Sequence, residues 1–252
     1  MFPIERRKAI LDVLDKHGSA TIEELSRALY TGEATVRRDL DKMSREGIIT
    51  RTHGGAVKLD RGNIDYPLAF RESENASIKD ALCDAAAELI SDGQSVFLDG
   101  SSTVMRLIPK IAFKKRLKIV TNGVKTAYEL SQAGLDSVVC TGGALSVASA
   151  SLTGAETVEA VKRYNADLFI FSCRAASGKG LSESTREVAE VKNAMAANAK
   201  KCVLLVDSGK LGKTAFCNLD VLERLDYVIT DAAPDRETAA LFEKNGVKVL
   251  IV

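Results

Sequence analysis

The stretch Glu33–Val57, "EATVRRDLDKMSREGIITRTHGGAV", decides the fold of the N-terminal part of this chain. Val36, Leu40 and Met43 recur at helical spacing, and Gly47 ends the run. "IITRTHGGAV" then reads as two short strands joined by a turn. Working outward, Thr21 with Glu24 three residues later makes a capping box. Ile22, Leu25, Ala28 and Leu29 mark a short helix behind that cap, and Tyr30-Thr31-Gly32 makes a turn between the two helices. Further back, Ile4, Ile10, Val13 and Leu14 mark a first helix that stops at His17-Gly18. Three helices and a hairpin make a winged helix-turn-helix over residues 1–57.

With Val36, Leu40 and Met43 packed inward, Thr35, Arg38 and Lys42 share an outward face of the third helix. Arg37 falls to one side, with Asp41 one turn on. As a solvated face, an Arg37–Asp41 pair would contribute only about 0.3 kcal/mol. The whole arrangement argues for more: a capped helix, a tight turn, a basic helix and a hairpin with Arg51, Thr52 and His53. Arginine is the commonest reader of guanine from such a helix, while threonines and wing cations suit phosphates. The expected DNA contacts are Thr21, Thr35, Arg37, Arg38, Lys42, Arg51, Thr52 and His53.

The net charge of the 252-residue chain is +1, so attraction to DNA has to come from a local patch. No apolar run reaches transmembrane length, and no membrane partner is expected. The N-terminal stretch is charged, without the apolar core of a signal peptide. Five scattered cysteines, none in C-x-x-C, suit a reducing cytoplasm; Cys83, Cys140 and Cys202 fall within apolar periods. Two histidines exclude a multi-histidine metal site, and neither a metal nor a cofactor is expected.

Residues 58–76 lack clean periodicity and read as a connecting segment. From Ser77 the pattern changes. "SVFLD", "LKIVT", "DSVVC", "DLFIF", "CVLLVD", "DYVIT" and "VKVLIV" are apolar runs alternating with helical stretches. They predict one α/β domain over 77–252 with about seven mostly parallel strands buried on both faces.

"DGSST", Asp99–Gly100–Ser101–Ser102–Thr103, follows the first of these runs and opens a helical pattern. Such a turn offers backbone N–H groups and hydroxyls to an anion, although a helix cap alone would explain any one hydroxyl. Other runs end at Thr121-Asn122, at Gly142-Gly143, and at Asp207 with Lys210 close behind. Ligands of open α/β sheets sit outside the carboxyl ends of strands, so these groups predict one crevice, with Lys210 as its cation.

"ATVRRDLDKMSREG" and "RTHGGAV", with Arg6-Arg7 and "IEELS", resemble the DNA-binding domain of the DeoR family of bacterial transcription regulators. The resemblance implies that Thr35, Arg37 and Arg38 face operator DNA, and that the chain leaves the wing around Gly54-Gly55. "DGSST", "TN", "GG", "EVAEVKNAM" and "DSGKLGKTAF" resemble the family's C-terminal domain, which is similar to ribose-phosphate isomerases and senses phosphorylated sugars or related metabolites. Through "EVAEVKNAM" the resemblance adds Glu187 and Lys192 to the effector groups. After "DLFIF" the chain departs from the family's small and acidic turn with Ser172-Cys173-Arg174; Arg174 either meets a second anionic group or pairs with Glu183 or Glu187.

Together these readings imply a homo-oligomeric repressor, dimer or tetramer, of a carbohydrate operon, released from operator DNA by a phosphorylated sugar. Two alternatives stay open: a sugar-phosphate isomerase using Asp99, Glu187 or Asp207 as base, and a DNA-binding protein whose second domain only oligomerises.

Overall fold

The computed structural model describes residues 2–58, 67–135, 137–147 and 149–252. The chain forms two compact units, one up to Arg71 and one over Glu72–Val252.

The first unit runs α1 (Pro3–His17), β1 (Ser19–Thr21), α2 (Ile22–Ala28), α3 (Glu33–Arg45), β2 (Ile49–Arg51) and β3 (Gly55–Lys58). Thr21 caps α2 as expected: its hydroxyl accepts from Glu24 N at 3.2 Å, and Glu24 Oε2 accepts from Thr21 N at 2.8 Å. Gly18, with a φ of 74°, ends α1 and donates its N–H to Leu14 O at 2.8 Å. Ile10, Leu14, Leu25, Val36, Leu40 and Met43 close into one core with Ile49 and Ala56. Each of the larger side chains, fully buried, contributes about 1.5–3 kcal/mol. Ala28 is exposed rather than inward, because α2 ends there and Leu29 takes the inward place. Ile4 lies on α1, but its side chain is outside the described residues.

The wing has a third strand that the sequence does not announce. β3 pairs antiparallel with both β2 and β1, in the order β1-β3-β2, and Gly55 lies opposite Thr21. Gly54-Gly55 therefore belongs to the wing turn and the start of β3, not to the point where the chain leaves the wing. In the connecting stretch, residues 59–66 are outside the described residues. Beyond them, α4 (Leu68–Ser73) forms, with Phe70 packed into the first unit's core.

The second unit begins with α5 (Ala76–Ala87). It continues through β4 (Ser95–Leu98), a 3-10 turn (Val104–Leu107), α6 (Ile108–Ile111), β5 (Lys118–Thr121), α7 (Val124–Gln132) and β6 (Val138–Cys140). A ribbon of β7 (Ala144–Ser146) and β8 (Ser151–Thr153) precedes α8 (Ala155–Val161) and β9 (Ala166–Phe171). A second small sheet comes from β10 (Ala175–Ser177), β11 (Gly180–Glu183) and, later, β13 (Cys217–Leu219). Between them lie α9 (Arg186–Ala197) and β12 (Ala199–Leu205); β14 (Leu225–Thr230), α10 (Arg236–Lys244) and β15 (Lys248–Ile251) finish the unit.

Seven strands form the main sheet in the order β15-β14-β12-β9-β4-β5-β6, every pairing parallel. They are the seven apolar runs read from the sequence. Alternate residues feed opposite cores: Phe169 and Phe171 pack on one face, Leu168 and Ile170 on the other. The strand order reverses beside β4. Its successors β5 and β6 lie to one side, while β9, β12, β14 and β15 lie to the other. A crevice at the carboxyl ends of β4 and β9 follows from that switch.

Burial pushes the Cys83, Cys173 and Cys202 thiols up to about 12, so they behave as small core hydrophobes. Cys140 differs from expectation: it ends β6, the edge strand of the sheet, and is exposed.

Candidate functional site

Two sites emerge, one in each unit. On α3, Arg37 and Arg38 are exposed, with Thr35 half-buried beside them and Lys42 exposed one turn beyond Arg38. Arg38 Nε donates only to Ala34 O, at 3.4 Å, and no carboxylate among the described residues pairs with it. Arg37 pairs with Glu33 at 3.3 Å rather than with Asp41. Asp41 instead meets Arg51 of β2, Nε to Oδ1 at 3.1 Å, because the hairpin folds against that side of the helix. Arg51 Nη1 also donates to Gly55 O at 3.0 Å, so this guanidinium ties wing to helix. Lys42 stands 3.9 Å from Glu46. Thr52 and His53 are exposed in the wing turn, and the Thr21 hydroxyl is engaged in its cap. Exposed cations thus follow the outward face of α3.

Two pairs fix how α3 is held, and sequence reasoning missed both. Arg6 of α1 bonds Asp39, a buried residue, and Arg7 Nη1 lies 3.3 Å from Glu46. The hydrogen bond to Asp39 outweighs burial and raises the Arg6 pKa. Asp39 adjoins the inward Leu40, which was the signal that its side chain is half turned to the core.

In the second unit the strand ends converge. Asp99 follows β4, Asn122 follows β5, Ser172 follows β9 and Asp207 lies just beyond β12. Asp99 Oδ2 accepts from Ser172 N at 3.3 Å, bridging the switch point between β4 and β9. Lys192 of α9 reaches the same place. Its ammonium lies 3.2 Å from Asp99 Oδ2, donates to Ser172 O at 2.6 Å and pairs with Glu183. Burial alone would push the Lys192 pKa down; the Glu183 and Asp99 carboxylates outweigh it and raise it. Lys210 Nζ donates to Ser172 Oγ at 3.1 Å and lies 3.3 Å from Asp207 Oδ2. Lys79 of α5, only 3% exposed, donates to Ser102 Oγ at 3.3 Å.

Lys79, Lys192 and Lys210 therefore gather with Asp99, Asp207 and Glu183 around Ser102 and Ser172, Lys79 and Lys210 on their hydroxyls and Lys192 on the Ser172 carbonyl. Lys79 was not expected from sequence, yet it was legible. It precedes Leu82, Cys83 and Ala86 at the 3, 4 and 7 spacing of an inward helix row, where a lysine needs a polar partner.

The positive charge of the crevice does not come from a helix terminus. "DGSST" leads into a four-residue 3-10 turn and the four-residue α6, too short to sum a macrodipole. Its groups are spent locally: Ser101 N donates to Asp99 Oδ1 at 3.1 Å, Gly100 N to Asn122 Oδ1 at 3.1 Å, and Ser101 Oγ accepts from Val104 N at 3.2 Å. Thr103 is buried, and its carbonyl accepts from Cys83 Sγ at 3.1 Å.

Several other predicted effector residues hold the crevice's walls. The Asn122 amide is used on both sides, since Nδ2 donates to Leu152 O at 3.0 Å. Thr121 Oγ1 accepts from Gly123 N at 3.0 Å. A Cβ on Gly143 would lie 2.0 Å from Thr157 Oγ1, and its φ is 116°, so this glycine is needed for packing. Gly142 O accepts from Thr157 Oγ1 at 2.8 Å. Glu187 is exposed in the first turn of α9, and no hydrogen bond or ion pair among the described residues brings it to the lysine cluster. Arg174 is half-buried and donates its backbone N–H to Ser182 O at 3.1 Å, while Glu183, one of its expected partners, pairs with Lys192.

Of the three candidate bases, Glu187 stands outside the lysine cluster and the other two are held by lysines. Asp99 and Asp207 are both ion-paired. Burial would raise the Asp207 pKa, but attraction and a hydrogen bond from Lys210 lower it, away from the near-neutral range of a proton abstractor.

The DeoR-like helix-turn-helix domain matches residues 6–61, and the DeoR C-terminal sensor domain matches residues 74–232. The HTH-type transcriptional regulator GolR of Listeria innocua is 32% identical over 252 residues, covering 100% of this chain and 99% of that protein. The glycerol-3-phosphate regulon repressor of Escherichia coli is 26% identical, with 91% of each chain covered. A solved ribose 5-phosphate isomerase from Methanocaldococcus jannaschii aligns over 55% of each chain with 16% identity and a TM-score of 0.42, a likeness too slight to bear on function. The chain is a member of the DeoR family of transcriptional regulators, with a DeoR-like helix-turn-helix in its first unit and a DeoR sensor domain in its second.

Proposed function

We propose that this regulator represses a carbohydrate operon and leaves its operator when a phosphorylated sugar binds the strand-end crevice. The observation that carries the reading is the meeting of Lys79, Lys192 and Lys210 around Ser102 and Ser172. Ammonium and hydroxyl donors brought together from helices and strand-end loops suit the three acceptor oxygens of a phosphate, while an uncharged sugar would leave the lysines poorly used. The ligand has to compete with Asp99, Asp207 and Glu183, which favours a doubly charged anion over a carboxylate of single charge. The name of the Escherichia coli relative, a repressor of a glycerol-3-phosphate regulon, fits a phosphorylated signal. On the DNA side, Arg38 and Lys42 reach the operator from α3. The chain acts as a homo-oligomer, since one winged helix offers few contacts and paired half-sites multiply them.

Calorimetry with a phosphorylated sugar and its dephosphorylated counterpart, alongside operator gel shifts, tests this. The phosphorylated form should bind more tightly and lower operator affinity, and Lys210→Ala with Ser102→Ala should lose that response while binding operator without ligand. Equal affinity for the two sugars would remove the phosphate from the reading.

A further inference from the structure

The first residues of the second unit are held by the same loops that carry the crevice. Glu72 lies in the last turn of α4 and Asn75 between α4 and α5, just past the point where the chain passes from one unit to the next. Arg106 Nη2 donates to Glu72 O at 3.2 Å, and its Nη1 grips Asp80 at 2.8 Å. Lys125 Nζ bonds Glu72 Oε1 at 2.5 Å. Asn75 Nδ2 donates to Asp207 Oδ1 at 3.3 Å. One turn into α5, Lys79 bonds Ser102.

Each partner belongs to a different strand end. Arg106 sits just behind Asp99–Thr103, Lys125 just behind Thr121–Gly123, and Asp207 just beyond β12. A segment of eight residues, 72–79, is thus fastened to three crevice loops.

Asn75 is the weak point of this segment. It stands in the left-handed region, φ 51° and ψ 38°, at the N-cap of α5, and its side chain makes no capping bond. Asparagine tolerates that backbone region better than most residues, and here its amide is committed to Asp207 instead of the helix. Asp207 shares its carboxylate between Asn75, on Oδ1, and Lys210, on Oδ2.

We propose that the bond between Asn75 and Asp207 is the latch through which the crevice controls the chain segment leading to the DNA-binding unit. The proposal rests on the crevice being the effector site. A phosphate that draws Lys210 to itself takes away the ion pair at Asp207 Oδ2, leaves only the weaker attraction of Lys79, and sets the carboxylate beside a like charge. The carboxylate then gives up its place, and Asn75 loses the acceptor that holds its left-handed turn. The turn between α4 and α5 changes, and with it the path of the chain into the first unit. The ligand's preference for the unlatched state is the coupling energy.

The test uses the whole 252-residue chain and Asn75→Gly, which keeps the left-handed backbone accessible and removes the side chain that bonds Asp207. Lys125→Met, which frees Glu72, is the second variant. Operator affinity is measured with and without glucose 6-phosphate, fructose 6-phosphate and glycerol 3-phosphate, and calorimetry gives each probe's affinity. A probe that weakens wild-type operator binding about tenfold should shift Asn75→Gly by less than about twofold while binding it as tightly as wild type. Lys125→Met should fall between the two. A full response in Asn75→Gly overturns the latch and leaves the crevice reading intact. Should no probe bind the wild type, the crevice reading fails, and amide exchange without ligand decides on the latch alone. Exchange over residues 72–79 should be about tenfold faster in Asn75→Gly, and unchanged exchange overturns the proposal.

Discussion

Asp39 of α3 is ion-paired with Arg6 of α1 beneath the helix, while Arg38, its neighbour in sequence, stands in solvent with only Ala34 O for a partner. A single residue step, about 100° around the helix, therefore separates the group that anchors α3 from an exposed cation on its outward face. Side-chain exposure is 13% for Arg6 and 10% for Asp39, so removing one partner strands a charge in a nearly closed site. Asp39→Ala should destabilise the first unit by about 2–3 kcal/mol, read from urea unfolding. Arg6→Met with Asp39→Leu together should cost less than the sum of the single changes. Additive losses would mean that the two residues act independently.

Arg38→Ala should weaken operator binding by about 1–3 kcal/mol and leave unfolding unchanged. Arg37→Ala should cost less, because Glu33 already occupies part of that guanidinium. Fluorescence anisotropy on operator DNA orders the two. An equal loss for both would place the DNA further round the helix.

Arg51→Ala should weaken binding to all sequences alike, and it should also lower the first unit's stability by about 1 kcal/mol through loss of the bonds to Asp41 and Gly55. The log–log salt slope separates the two effects. If the magnitude of the slope drops by about one, Arg51 also meets a phosphate; a constant slope leaves it the wing's tie alone.

Asp167 joins three strands of the main sheet. Oδ2 accepts from Ser95 N at 2.9 Å, and Oδ1 meets Lys200 at 2.8 Å. Lys200 first, and then the Ser95 bonds, hold this carboxyl at about 2, below its ordinary value. A depressed carboxyl stabilises the fold above its unfolded pKa and loses that contribution as pH falls through the folded one. Asp167→Asn should therefore cost about 1–2 kcal/mol near pH 7, discounted for partial exposure. The gap to wild type should narrow as pH drops below about 4. A gap that stays constant from pH 7 to pH 3 would assign the loss to packing.

Gly143→Ala should cost at least about 2 kcal/mol, since its Cβ would meet Thr157 Oγ1 and the backbone is left-handed. Thermal unfolding reads it directly. Unaltered stability with a weakened phosphosugar response would return Gly143 to the binding surface.

The seven main-sheet strands were legible because strands buried on both faces must be apolar along their length, so "DLFIF" and "CVLLVD" could hardly belong elsewhere. The helix-turn-helix was legible for a related reason: Val36, Leu40 and Met43 can face one core only from a helix. The extra strands β1, β7, β8, β10, β11 and β13 were not, since three or four residues carry too little alternation and their pairing depends on a distant partner. The sequence by itself determined the two units, the basic outward face of α3 and the gathering of polar strand ends. Only the tertiary structure decided that Asp41 belongs to Arg51, that Asn122 and Gly143 hold walls, and that Lys79, Lys192 and Lys210 meet. Those pairings join residues far apart in the chain, and which charge neutralises which depends on distances that folding sets and local periodicity does not record.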